Sequence, residues 1–318
     1  MIAAPRRERG IALLIALLAV ALAAVLIAGL LDKGELALAR TRNALRGEQA
    51  QAYAQALEAS AAEILMKDLG DGDEDSNEDI WAAPLPPQPV PGGMIYASMR
   101  DLDGCFNLNN LSLNDATWRK MFTRLLDARG IDEEIATAIE DWLVANGSDD
   151  TKDRWYLSQP VPYRSAQRMF AHVSELRLVR GVTSDVYARL APYVCALPPG
   201  TPINVNTASV PVLQTLGLNM TAAQAESLWQ NGQAHWDNQF ATTWRNMNIP
   251  VDPGVGADKA GIISSYFLAR SDIDLDGVPF TFFSVIQRGG TCGLCVIERT
   301  RGADAAPALA DVPAVTQR

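Results

Sequence analysis

The chain has 318 residues, 48% of them hydrophobic, and a formal net charge of −10. That length suits two domains, or one domain carrying a large insertion. The acidic balance argues against nucleic acid as a partner, because phosphate affinity depends on clustered Lys and Arg. Only two histidines occur, His172 and His235, and neither belongs to a His-x-x-x-His or Glu-x-x-His pair, which argues against a zinc or di-iron site.

In chain order, Arg6, Arg7 and Arg9 come first, and then residues 11–31 contain no charge at all. At about 1.5 Å per residue a helix of this length crosses a hydrocarbon core of roughly 30 Å. A secretory signal peptide has a shorter apolar region of about 7–15 residues. The "ALA" at 37–39 lies beyond Asp32, Lys33 and Glu35, which weakens it as a signal-peptidase site. The arginines before the span keep residues 1–10 in the cytoplasm and place the chain beyond Leu31 on the other side. The stretch after it is rich in Ala, Leu, Glu, Gln and Arg, so the helix is expected to continue over 32–70.

A short basic leader ending in Gly10, followed by "IALLIALLAVALAAVLIAGLL", resembles a type IV prepilin or a type II secretion pseudopilin. The resemblance implies cleavage by prepilin peptidase after Gly10 and N-methylation of Ile11. Ordinary members carry Glu at the fifth mature position, where this chain has Ile15. A carboxylate at that depth is costly in hydrocarbon unless it meets a cation. In pilins the implied cation is the N-terminal amine of the neighbour assembled earlier, so a subunit with nothing ahead of it gains nothing from the acid. Absence of that Glu is the mark of the K class of minor pseudopilins, the general secretion pathway protein K family. "WAAPLPP", "FNLNNL", "IEDWLVANGSDD", "YLSQPVPYR", "VSELRLVRG" and "INVNTAS" are further stretches similar to that family.

Downstream of the helix, residues 71–93 are acidic and then Pro-rich, and read as an exposed, partly extended connection with a solvated acidic loop. Next come a strand around Ile95 and Tyr96, a turn at Asp103-Gly104 and a short return strand near Phe106. Residues 112–248 carry helical signals. Asp115 is a cap, Trp118, Phe122, Leu125 and Leu126 share one face, and Gly130 is a stop. Shorter helices come next around Gly181, and another pair is capped by Asn206 or Thr207 and turns at Gly217. Three antiparallel strands are predicted near 263–273, 278–288 and 295–300. The expected fold is therefore α+β: a long pilin-like helix, an antiparallel β region over 71–111 and 249–302, a helical domain over 112–248 inserted between strands, and a loose tail over 303–318.

For chemistry, the strongest cluster is "EDWLVANGSDDTKD", where Asp141, Asn146, Ser148, Asp149, Asp150 and Asp153 offer oxygen ligands for calcium. The resemblance also implies calcium in the helical domain. "DIDLDG" at 272–277 opens like an EF-hand loop, but its twelfth position is Phe283, so a turn between strands explains it better. The four cysteines, Cys105, Cys195, Cys292 and Cys295, allow three pairings, and disulfides fit an exported chain better than metal ligation. The pairing we expect is Cys292 with Cys295 and Cys105 with Cys195; the Cys-x-x-Cys spacing also admits a redox pair, without a thioredoxin-like setting to support it. "INVNTASVPVLQTLG" looks like a helix-hairpin-helix module, yet no Lys or Arg occurs between Thr201 and Gln239. A membrane-anchored DNA-uptake protein is the competing reading. No catalytic set is found: Ser174 beside Glu175 lacks a base, and each histidine looks isolated. The family reading implies an inner-membrane, single-pass protein with a periplasmic domain. It would assemble at the pseudopilus tip with minor pseudopilins I and J, with H and the major pseudopilin G as further neighbours.

Overall fold

The computed structural model describes residues 8–71, 74–144 and 151–302. The chain divides into two compact units, Met1–Tyr53 and Ala54–Arg318. The first unit is the leading part of α1, a helix that runs over Glu8–Asp71. It contains no proline, and its Ala, Leu, Glu, Gln and Arg content favours the helix through Gly34 and Gly47. Every side chain over residues 11–31 is exposed. The helix is long and apolar enough to cross a membrane.

In the second unit the end of α1 lies on a five-stranded sheet. Ala61 and Leu65 of the helix pack with Trp81, Met99, Phe267 and Ile286, all buried. The sheet begins with β1 (Leu85–Val90) and β2 (Gly93–Asp101). The Pro-rich connection is thus partly a strand. Pro86, Pro87 and Pro89 confine β1 to an edge, because they donate no ladder hydrogen bond.

The chain then leaves the sheet. β3 (Phe106–Asn107) does not return on β2; it pairs in parallel with β4 at Val194 and Cys195. The helical segments are α2 (Ala116–Ala128), α3 (Glu134–Leu143), α4 (Arg154–Leu157) and α5 (Ser184–Leu190), then β4 (Val194–Cys195) and β5 (Ile203–Asn204). α6 (Val210–Gln214), α7 (Ala222–Trp229), α8 (Phe240–Asn246) and β6 (Ala260–Gly261) complete the block. Asp115 caps α2 by accepting the Thr117 amide, as its position predicts. Trp118, Met121, Phe122, Leu125 and Leu126 of α2 are buried at helical spacing. Trp118 meets Phe106 edge-on at 5.8 Å between ring centroids.

The cap of α6 differs from the expectation. Ser209 occupies that position, because Asn206 is spent on the backbone of Trp236 and Thr207 donates to Asp101. Phe106, Leu108 and Leu111 join the helical core, as do Ile249, Val251, Val255, Ala260 and Ile262. The block is therefore wider than residues 112–248 and fills the interval from 102 to 265.

The chain re-enters the sheet at β7 (Tyr266–Leu275), followed by β8 (Val278–Arg288) and β9 (Leu294–Arg301). The strand order is β1-β2-β7-β8-β9, antiparallel throughout. Asp276 and Gly277 turn the β7–β8 hairpin with φ of 52° and 77°. This left-handed pair matches the twist of the strands, and it accounts for "DIDLDG" without a metal.

Candidate functional site

Gly10, Ile11 and Ile15 fall in the opening turns of α1, and Ile15 is 62% exposed. Residues 1–7 of the leader and 303–318 of the tail lie outside the described residues. An aliphatic side chain at position 15 gives the helix surface no charge to satisfy there.

The candidate calcium loop comes after α3. Asp141, in the last turn, pairs with Lys152 Nζ at 3.0 Å and with Arg180 Nη2 at 3.9 Å. Asp153 is buried, and both its carboxylate oxygens are engaged. One accepts from the Ser165 amide at 3.0 Å and hydroxyl at 2.6 Å. The other accepts from Arg164 at 3.1 Å and Gln167 at 3.5 Å. Burial alone would raise its pKa, but the Ser165 and Arg164 donors hold the Asp153 carboxyl below the usual range. This carboxylate is a folding element that anchors the Ser165 loop, and it does not fit a calcium ligand set. Asp141 is half-buried, and its two carboxylate oxygens face Lys152 and Arg180. Asn146, Ser148, Asp149 and Asp150 lie outside the described residues.

The cysteines are joined as Cys105–Cys195 and Cys292–Cys295, with Cα–Cα distances of 5.9 and 6.0 Å. The first clamps β3 to β4 at the root of the helical block. The second closes the tip between β8 and β9. In the hairpin between α6 and α7, the Leu218 amide donates to the Pro250 carbonyl at 2.8 Å. A Cβ on Gly217 would stand 2.6 Å from the Met220 side chain. The hairpin is a tightly packed corner.

A polar junction lies where α1, the sheet and the helical block meet, and it includes the acidic loop whose composition suggests solvation. Asp75 and Ser76 are in fact buried. Arg288 of β8, itself buried, pairs with Asp68 of α1 at 3.1 Å and with Asp75. Asp79 bonds to the Ser76 amide and hydroxyl at 2.8 and 3.0 Å and to the Trp81 indole at 3.1 Å. Burial, followed by the charges of Asp79 and Asp75, pushes the Asp68 carboxyl up to about 6. Burial also raises Asp101 to about 6, against the Thr207 and backbone hydrogen bonds that oppose it. Asp103 is raised well above the usual carboxylate range by burial and by Asp101.

The histidines are not isolated. His172 caps the helical turn over Val173–Leu178, with Glu175 completing the box. His235 lies between Glu74 at 2.8 Å and Glu78 at 2.9 Å. Hydrogen bonds to these two carboxylates raise its pKa above the usual histidine value.

A family model described as type II secretion system (T2SS), protein K, matches residues 104–199. Type II secretion system protein K of Pseudomonas aeruginosa is 33% identical over 323 residues, covering 95% of this chain and 95% of the relative. The chain belongs to the type II secretion system protein K family. The protein K of Pectobacterium carotovorum is 36% identical, over 89% of this chain and 94% of its own length. The fold is shared with a chain of the GspK–GspI–GspJ complex from the type 2 secretion system of enterotoxigenic Escherichia coli. That match has a TM-score of 0.69 and 27% identity, and it covers 83% of this chain and 100% of the other.

As a protein K, the chain is a minor pseudopilin of type II secretion, with one apolar N-terminal helix suited to single-pass anchoring. The α+β fold is that of the family. What sequence reasoning misses in this protein K is the junction. Asp68, Asp75, Asp79 and Arg288 are spread over 220 positions, so no local pattern links them. A weak signal exists in Arg288, the one cation of β8, at its last position.

Proposed function

We propose that this chain occupies the tip of the pseudopilus, assembled with minor pseudopilins I and J, and that its work is assembly rather than catalysis. The observation that carries the reading is Ile15, an exposed apolar residue in the opening of α1 where a pilin would present Glu. A subunit without that acid forms no bond to a preceding amine, which suits the leading position in a filament. The likeness to a chain solved in complex with GspI and GspJ supports the choice of partners. The major pseudopilin G and minor pseudopilin H are the next neighbours down the filament in this reading. The wide helical block then covers the end of the filament and hinders another subunit from stacking there.

On the same reading, prepilin peptidase cleaves after Gly10 on the cytoplasmic face and Ile11 is N-methylated. Residues 11–31 then span the inner membrane, and the sheet and helical block lie in the periplasm. The test is mass spectrometry of the N-terminus of the protein recovered from membranes. N-methylated Ile11 is the expected result, and an intact Met1 or a start at Arg40 would remove the pilin pathway. For position, Ile15→Glu is expected to impair secretion and recovery of the complex with I and J; normal secretion by this variant would overturn the leading placement.

Calcium binding at the loop after α3 is part of the proposal, with Asp141, Asn146, Ser148, Asp149 and Asp150 as the oxygen donors. Calcium there would draw Asp141 away from Lys152 and Arg180. Calorimetric titration of the full chain is expected to show a site that Asp149→Ala abolishes. Unchanged binding in that variant would remove the assignment.

A further inference from the structure

Residues 74–79 form a strap that touches three elements at once. Its backbone is tied to the helical block: the Asp75 amide donates to the Ile262 carbonyl at 2.7 Å, and Asn204 donates to the Asp75 carbonyl at 3.0 Å. Asn77 donates to the Gly232 carbonyl at 3.3 Å. Its acidic side chains face two ways. Asp75 and Asp79 turn toward Asp68 of α1 and Arg288 of β8, whereas Glu74 and Glu78 hold His235 of the helical block between them.

The charges on the inner side do not balance. Oxygens of Asp68, Asp75 and Asp79 lie within 4.8 Å of one another. Asp101 at the end of β2 and Asp103 just beyond it add to the negative charge acting on Asp75. Among the described residues, Arg288 is the cation bonded to this group, and its guanidinium fills the place between Asp68 and Asp75. The other partners are neutral: the Ser264 amide on Asp75, the amides of Ser265 and Tyr266 on Asp103, and the Thr207 hydroxyl on Asp101. Asp68 is partly buried beside Asp75 and Asp79, so ionising it there sets negative charges against one another.

We propose that the strap is a proton-dependent latch between the end of α1 and the helical block, fastened when His235 and Asp68 hold their protons and loosened when they lose them. The two groupings act in the same direction. The folded pKa of Asp68, about 6, is above its ordinary value of 3.8, and that of His235 is above 6.5. For a group raised on folding, the stabilisation is complete below the unfolded pKa and is lost as pH rises through the folded pKa. For Asp68 this window runs from 3.8 to about 6, and for His235 it begins at 6.5 and extends upward. Rising pH therefore ionises Asp68 against Asp75 and Asp79, and then discharges the cation that holds Glu74 and Glu78. The latch does not depend on the tip assignment, since it is internal to this chain.

The experiment uses the full chain in detergent micelles. The imidazole signals of the two histidines, told apart with His172→Gln, report the titration of His235. It is expected above the ordinary histidine value, and Glu78→Gln is expected to lower it. Opening of the strap is read from exchange of the Asp75 amide, corrected for the intrinsic rate. Its protection is expected to fall about tenfold between about pH 5.5 and pH 8.5 in the wild type. Asp68→Asn, which keeps the shape of the protonated acid, should lose less than half of that protection. An Asp75 amide protected equally at both ends of the range, or an Asp68→Asn profile parallel to the wild type, overturns the latch. So does a His235 titration that ignores Glu78.

Discussion

The sheet closes on the end of α1 with six buried apolar side chains, Ala61, Leu65, Trp81, Met99, Phe267 and Ile286. Two ionic groupings supplement them: Glu58 with Arg299 and Ser284, and Asp68 with Arg288 and Asp75. The helical block also holds buried charges, Asp153 with Arg164 and Asp252 with Arg124, but most of its interior is aromatic and aliphatic. Phe106, Trp118, Phe122, Trp142, Tyr156, Phe170 and Trp244 all lie in one continuous apolar core. The contrast shows two ways of fixing secondary structure. Long strands secure each other through their ladders and need only a thin apolar layer. Helices of four to thirteen residues have little stability alone, so packing must supply it.

The comparison breaks most readily at Trp118. Trp118→Ala removes a fully enclosed ring and is expected to cost about 3–5 kcal/mol, measured by denaturant unfolding of the helical block. A loss under about 1 kcal/mol would mean that the block does not rest on its aromatic core. The longer of the two disulfides, one in each region, is of comparable size, and the shorter is smaller. Cys105–Cys195 closes a separation of 90 residues, and Cys292–Cys295 a separation of 3. Chain entropy puts their contributions at about 4–5 and about 2 kcal/mol. Replacing each pair by serines and comparing midpoints tests that order, and a larger loss from the hairpin pair would reverse it.

The smallest effect sharpens the view of the sheet. Glu58 is buried and accepts from Arg299 at 2.8 Å, but Arg299 is 57% exposed and its charge is screened. Burial would raise the Glu58 carboxyl, yet the Arg299 and Ser284 hydrogen bonds hold it below its ordinary 4.5. Its contribution is therefore present above pH 4.5 and lost as pH falls further. Glu58→Gln is expected to cost about 1 kcal/mol at neutral pH and nothing in strong acid, read from thermal unfolding at the two pH values.

The features visible in the sequence are those with a local cause. Residues 11–31 announce a membrane span by composition, Asp115 and Gly130 bracket α2, and Asp276-Gly277 turns a hairpin. Each depends on neighbours a few positions away. The strand at Phe106 departs from the expected return on β2 because its partner, Val194, is set by the disulfide and by core packing. The acidic loop is not solvated as its composition suggests, because the burial of Asp75 depends on Arg288, 213 positions later. His235 looks isolated in the sequence, since Glu74 and Glu78 precede it by 161 and 157 positions. Asp153 is the right residue type for a metal, but the Ser165 loop claims it.

The helical block leaves the sheet after Asp101 and comes back at Tyr266, and the Leu102 amide donates to the Tyr266 carbonyl at 2.9 Å. Exit and entry are thus adjacent rungs of one ladder, β2 against β7. Whatever hangs from that gap can lengthen, shrink or be exchanged without shifting the register of a single strand. A short turn in its place would connect β2 to β7 as in a five-stranded meander, so the head of this subunit is an insertion at one point of an otherwise continuous sheet.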